Sequence, residues 1–171
     1  TGVRVPAGSE AVLVYRVRAN GYAPLGTAAE VTNSLEITGE GLANPVTAAE
    51  TVAADPAAVL SIQKALSPAT VVENGEITYT FTIQNTGAMA VDAADALVLR
   101  DTFNPALEAP IAVNLNGAAW PQEGNYTYNA ATGEFVTTAG AITVPAATYT
   151  QDAATGLWSV SPGVTTLTVR G

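Results

Sequence analysis

The chain of 171 residues contains no cysteine, no histidine and only one lysine, Lys64. The absence of cysteine excludes disulfides and thiolate nucleophiles, and the absence of histidine excludes histidine-based acid–base catalysis. Zinc sites of the usual cysteine and histidine type are excluded with them. A chain without cysteine suits a cytosolic protein, but it equally suits an exported protein that is braced by something other than disulfides.

Positive charge and long apolar runs are also scarce. Fifteen acidic residues against six basic ones give a net charge of -9, which argues against binding to nucleic acid or to an anionic membrane surface. No run approaches the roughly 18 apolar residues that span a bilayer, so we expect no membrane insertion. No cofactor and no metal site are indicated. The sequence starts at Thr1 without a signal-peptide pattern, so we expect a processed chain or a piece of a longer one.

Strand and turn patterns occupy almost the whole chain, and no helix longer than a turn or two is indicated. The segment from Glu76 to Gln84 is the clearest strand, because apolar residues alternate with threonines. Two similar segments, 128–135 and 151–158, each place an Ala-Ala-Thr-Gly turn before an aromatic strand residue. The remaining strand-like segments are Val12 to Val17, Glu30 to Thr38, Val46 to Ala53, Leu60 to Leu66, Ala96 to Asp101 and Thr165 to Val169. The fold class is therefore all-β, most simply a β-sandwich.

The single lysine lies on the apolar side of its strand. In the segment from Leu60 to Leu66, period-2 alternation places Lys64 on the same face as Leu60, Ile62 and Leu66. An unpaired ammonium group would be very costly on that face. We therefore expect Lys64 to be neutralised, paired or consumed chemically.

The segments 60–68 and 74–87 resemble the DUF11 family, immunoglobulin-like repeats of bacterial surface proteins. The matching motifs are Lys-Ala-Leu-Ser-Pro at 64–68, then Gly-Glu-Ile-Thr-Tyr-Thr-Phe-Thr-Ile-Gln-Asn-Thr-Gly at 75–87, and a looser Asp-Thr-Phe-Asn-Pro element at 101–105. The family usually closes with an Ala-Gly-x-x-Val-x-Tyr strand and then a Gly-x-x-Val-x-Asn strand, and the counterparts of these motifs stand at 7–15 and 26–33 instead. The resemblance implies an antiparallel immunoglobulin-like β-sandwich with Greek-key-type connections.

The family motifs occur in permuted order, with the closing half first. We therefore predict that residues 1–55 are the closing strands of one sandwich unit and that 57–171 are the opening strands and hairpins of the next. Strands of a neighbouring copy would complete such a unit in a tandem repeat array or a pilus-like fibre. A single sandwich closed within the chain is the alternative, because permutation is well tolerated.

The resemblance also implies a covalent cross-link, since related surface domains include members in which lysine and asparagine side chains join as an amide. It assigns Lys64 as the nucleophile, Asn33 as the carboxamide and Asp101 as the acid that relays protons. An apolar setting favours the neutral forms that this reaction needs. The alternative is that Lys64 forms a salt bridge with Asp101 or extends to the surface. Asn85 is also in phase with its strand, but its Thr-Gly neighbours favour a capping role.

The functional expectation is an extracellular structural module on a bacterial cell surface, whose partners are neighbouring copies or adjacent repeats. It is not an enzyme, beyond one autocatalytic turnover on itself. The alternative is an adhesin module that binds a host or matrix ligand through Trp120 and Trp158, although cross-strand packing is the commoner role of such aromatics. Asp92, Asp95 and Asp101 lack the spacing of a calcium loop.

Overall fold

Twelve β-strands account for nearly all regular structure in the computed structural model, which describes residues 5–109 and 111–171. The strands are β1 (Glu30–Ile37), β2 (Val46–Ala53), β3 (Leu60–Ser67), β4 (Thr78–Asn85), β5 (Arg100–Thr102), β6 (Ala112–Leu115), β7 (Ala118–Ala119), β8 (Tyr126–Asn129), β9 (Glu134–Thr137), β10 (Thr148–Gln151), β11 (Trp158–Ser161) and β12 (Gly163–Arg170). A single 3-10 turn at Ala93–Asp95 is the only helical element of the described residues. It contains a capping box in which Asp92 and Asp95 bind each other's backbone.

Two antiparallel sheets face each other in the part of the chain after residue 57. The larger sheet has the order β3-β4-β12-β6-β7, and the smaller has the order β5-β9-β8. β3 and β12 flank β4 on its two sides, and each is antiparallel to it. Leu60 at the start of β3 is opposite Asn85, and Arg170 at the end of β12 is opposite Thr78.

Aromatic and branched residues from both sheets fill the space between them. On β4 the side chains alternate between half-buried threonines and buried Tyr79, Phe81 and Ile83, as period-2 alternation predicts. The smaller sheet contributes Phe135, which has no exposed surface and lies with its ring centroid 5.0 Å from that of Tyr126. Because both sheets contribute side chains to one core, the arrangement is compatible with a β-sandwich.

Two further ribbons lie outside these sheets. β1 pairs with β2, and β10 pairs with β11, each as a two-stranded antiparallel sheet. Every residue of β1 and β2 is exposed. The segment before β1 contacts the second ribbon, because the backbone N–H of Trp158 donates to the carbonyl of Gly21 at 2.9 Å.

The all-β prediction is confirmed, whereas two predicted strands are wrong or shortened. Residues 12–17 form no strand, although their pattern is apolar, because no other segment pairs with them in the described residues. The strand expected at 96–101 is reduced to β5, since Ala96 takes the left-handed conformation (φ 53°) at the end of the 3-10 turn. Within 5–109 and 111–171, no helix is long and apolar enough to cross a membrane.

Candidate cross-linking site

Lys64 and Asp101 meet at the open edge of the sandwich. Lys64 Nζ lies 2.5 Å from Asp101 Oδ2 and donates a hydrogen bond to it. The two residues come from different sheets, because β3 carries Lys64 and β5 carries Asp101. The side chains are 40% and 17% exposed, respectively, so the pair lies at the rim and not in the core. The predicted partnership of these residues is therefore present as an ion pair.

Three aromatic rings surround the lysine ammonium group. Nζ lies 4.8 Å from the ring centroid of Tyr79 and 5.6 Å from those of Phe81 and Phe103. Register explains the first two contacts, because Lys64 is directly opposite Phe81 on β4, next to Tyr79 on the same face. Each ring presents its negative face to a cation, and such contacts contribute roughly 0.5–2 kcal/mol. The lysine is thus held by one carboxylate and by apolar walls.

Among residues 5–109 and 111–171, no strand pairs with the outer side of the edge strand that carries Lys64. β3 pairs with β4 only, and all eight of its residues are exposed. Its inward-facing apolar residues Leu60, Ile62 and Leu66 keep 39%, 57% and 49% of their surface in solvent. An open groove of about 310 Å³ follows this edge, lined by Leu60, Ser61, Ile62, Ile83, Leu97, Val98, Leu99 and Arg100. Exposed apolar edges of this kind favour the addition of another strand.

Asn33, the third predicted member of the site, lies elsewhere. It is on β1 of the exposed ribbon, and its Nδ2 donates a hydrogen bond of 2.8 Å to the hydroxyl group of Tyr15. The structure therefore brings together two of the three predicted residues, and the carboxamide is not among them.

Asn85, the other carboxamide considered, has a structural role. Its side chain has no exposed surface. Its Oδ1 accepts hydrogen bonds from the backbone N–H groups of Val59 (3.0 Å) and Gly87 (2.9 Å). Its Nδ2 donates to the carbonyl groups of Met89 (2.7 Å) and Pro145 (3.0 Å). Because these four bonds use the full capacity of a carboxamide, the predicted capping role is confirmed.

The two tryptophans proposed for ligand binding lie on different sheets. Trp120 follows β7 in the larger sheet and stacks on Tyr126, with ring centroids 5.7 Å apart. This contact is the packing role that the sequence favoured. Trp158 lies in the β10–β11 ribbon and is only partly buried, but its indole N–H is enclosed without an acceptor among the described residues.

The sequence pattern did not predict the aromatic enclosure of Lys64, including its third ring, Phe103. Its position, two residues after Asp101 and therefore on the same strand face, could have suggested it. Comparisons with family models, with curated proteins and with solved structures give no match. The resemblance to the DUF11 family accordingly stays a prediction, as does the division of the chain at residues 55–57.

Proposed function

We propose that this protein is an extracellular structural module of a bacterial surface protein or fibre, with immunoglobulin-like topology, that links successive copies of itself. The observation that carries this proposal is the Lys64–Asp101 pair, enclosed by aromatic rings at an edge to which another strand can be added. A purely stabilising salt bridge needs no open edge beside it. A joint between copies does, because the partner must reach the lysine.

The proposed joint is an amide between Lys64 of one copy and Asn33 of another. Proton transfer along the 2.5 Å contact converts the ion pair into a neutral amine and a carboxylic acid. The amine nitrogen Nζ then attacks Cγ of Asn33 while Asp101 polarises the carbonyl group. The bond from Cγ to Nδ2 breaks, Asp101 relays the proton from the amine to the departing nitrogen, and one ammonia leaves. The product carries no charge at the site, and it would hold tension until a covalent bond broke.

Mass spectrometry and denaturing electrophoresis of the concentrated chain test this proposal. We expect multimers that survive boiling in denaturant, each junction lighter by one ammonia than the sum of its chains. Lys64→Met, Asp101→Asn and Asn33→Ala should each abolish them. Asn44→Ala, a matched change at an exposed asparagine of the same ribbon, should not. Unmodified monomer mass in the wild type would refute the cross-link.

A second candidate function, a ligand-binding adhesin module, has one observation in its favour. The indole N–H of Trp158 finds no acceptor in the described part of the chain, and its ribbon neighbours Leu157 and Val160 are 42% and 43% exposed. An adhesin would bind a glycan or matrix protein saturably and would lose that binding in Trp158→Ala. Trp120→Ala, which alters a packed residue, is the comparison that separates a binding surface from core damage.

A further inference from the structure

The exposed ribbon β1–β2 has one apolar face and one polar face. Register places Val31, Leu35 and Ile37 opposite Val52, Ala48 and Val46, so that these six side chains share a face. Asn33 and Glu50 are opposite each other on that same face. The other face is polar, as shown by the hydrogen bond of 2.8 Å between the hydroxyl groups of Thr32 and Thr51.

The apolar face is not covered by the sandwich. Its large residues keep about half or more of their surface in solvent: Val31 51%, Leu35 53%, Ile37 52%, Val46 54% and Val52 72%. A two-stranded ribbon of this kind is marginally stable on its own in water. It therefore requires a surface to pack against.

The groove beside β3 has the complementary properties. It is open and apolar, and the exposed row Leu60, Ile62 and Leu66 runs along its edge. The charges are complementary as well. Residues 30–53 contain four glutamates and no basic residue, whereas residues 57–72 contain Lys64 and no acidic residue. Arg100, whose side chain is 69% exposed, lines the same groove.

We propose that the apolar face of the β1–β2 ribbon of one copy docks into the β3 groove of a second copy, with Asn33 over the Lys64–Asp101 pair. This inference rests on the proposed function for its partner, but it requires no covalent bond. Each copy has one β1–β2 ribbon and one β3 groove, which are different surfaces, so the contact is heterologous. Repetition of a heterologous contact gives a closed ring of copies where the rotation between them closes, and an open chain where it does not.

Two charged variants with matched controls test the docking. Leu35→Glu places a carboxylate on the docking face of the ribbon, and Ser34→Glu places the same group on its polar face. Ile62→Glu places a carboxylate on the groove side of β3, and Gln63→Glu places one on the opposite face of the same strand. In Leu35→Glu and Ile62→Glu a buried carboxylate would replace an apolar contact, so each variant should raise the dissociation constant between copies about 100-fold or more. The controls should associate like the wild type in sedimentation velocity.

Mixing the two defective variants distinguishes this geometry from any other form of association. Leu35→Glu retains an intact groove, and Ile62→Glu retains an intact ribbon. Each should be monomeric alone, and together they should form a one-to-one heterodimer that grows no further. A mixture that stays monomeric, or a wild type that is monomeric at every accessible concentration, would overturn the proposal.

The same measurements in an Asn33→Ala background separate docking from the covalent joint. That background cannot form the amide, yet the ribbon keeps its apolar face, so reversible association and heterodimer formation should persist. Association there without denaturant-resistant multimers in the wild type would support docking and refute the cross-link. Multimers in the wild type without association in this background would support the cross-link and overturn the docking proposed here.

Discussion

Substitution of the buried Asn85 by alanine should destabilise the sandwich strongly. The variant leaves the N–H groups of Val59 and Gly87 and the carbonyl groups of Met89 and Pro145 without their partner. At about 1 kcal/mol for each lost bond, the free energy of unfolding should fall by about 3–5 kcal/mol. That is a large fraction of the roughly 5–15 kcal/mol by which domains are stable.

Urea denaturation followed by tryptophan fluorescence measures this loss, and a constant m-value would show that the unfolding reaction itself is unchanged. Asn44→Ala, at an exposed asparagine, should change the free energy of unfolding by less than about 0.5 kcal/mol. Asn85→Asp keeps an oxygen that can accept the bonds from Val59 and Gly87, but it loses the amide group that donates to Met89 and Pro145. Its deficit should shrink as pH falls, because a protonated carboxyl group regains one donor. A loss below about 1 kcal/mol in Asn85→Ala would refute the reasoning, since it would mean that water replaces the carboxamide at little cost.

Three further predictions follow from the core and the turns. Phe135→Ala removes a ring with no exposed surface and should cost about 3–5 kcal/mol in the same denaturation assay. Burial raises the pKa of Tyr126 above its model-peptide value of 10.0, so stability should fall as pH rises past 10.0, and Tyr126→Phe should lose less over that range. Hydrogen bonds lower the pKa of Asp152: the backbone N–H of Thr155 contributes most, then the Thr155 hydroxyl group, then the backbone N–H of Ala154. NMR titration should therefore find the Asp152 carboxylate still ionised below pH 3.8. The first prediction is contradicted if Phe135→Ala lowers the free energy of unfolding by less than about 3 kcal/mol. The second is contradicted if Tyr126→Phe loses as much stability above pH 10.0 as the wild type, and the third if the pKa of Asp152 is not below 3.8.

Local pattern predicted the strands whose partners lie close along the chain. The alternation in β4 and the two Ala-Ala-Thr-Gly turns depend on neighbouring residues only, and the structure contains all three elements. The inward orientation of Lys64 was also predictable, because a strand has a period of two. Residues 12–17 have the same kind of pattern and form no strand, since a strand requires a partner that the pattern does not identify.

The candidate site was predictable only in part, for the same reason. Alternation places Lys64 and Asp101 on inward faces, but their contact depends on how two sheets pack, which no local pattern specifies. The aromatic enclosure combines β4 residues with Phe103 from the chain after β5. Asn33 shows the limit most clearly. Its phase is as predicted, yet its strand pairs within a separate ribbon, so the phase of a residue does not reveal its neighbours.

The arrangement of β3 and β12 on the two sides of β4 determines how the sandwich would respond to being stretched. If the chain is pulled at Leu60 and Arg170, the two grips act at opposite ends of β4, roughly 24 Å apart for eight extended residues. The pull then runs along the strands, so the ladder hydrogen bonds on both sides of β4 are loaded in shear and must yield together. Strands gripped at the same end would instead peel apart one bond at a time. Single-molecule pulling through these two positions should therefore need a higher rupture force than pulling through Leu60 and Gln84, which lie at the same end of the β3–β4 pair.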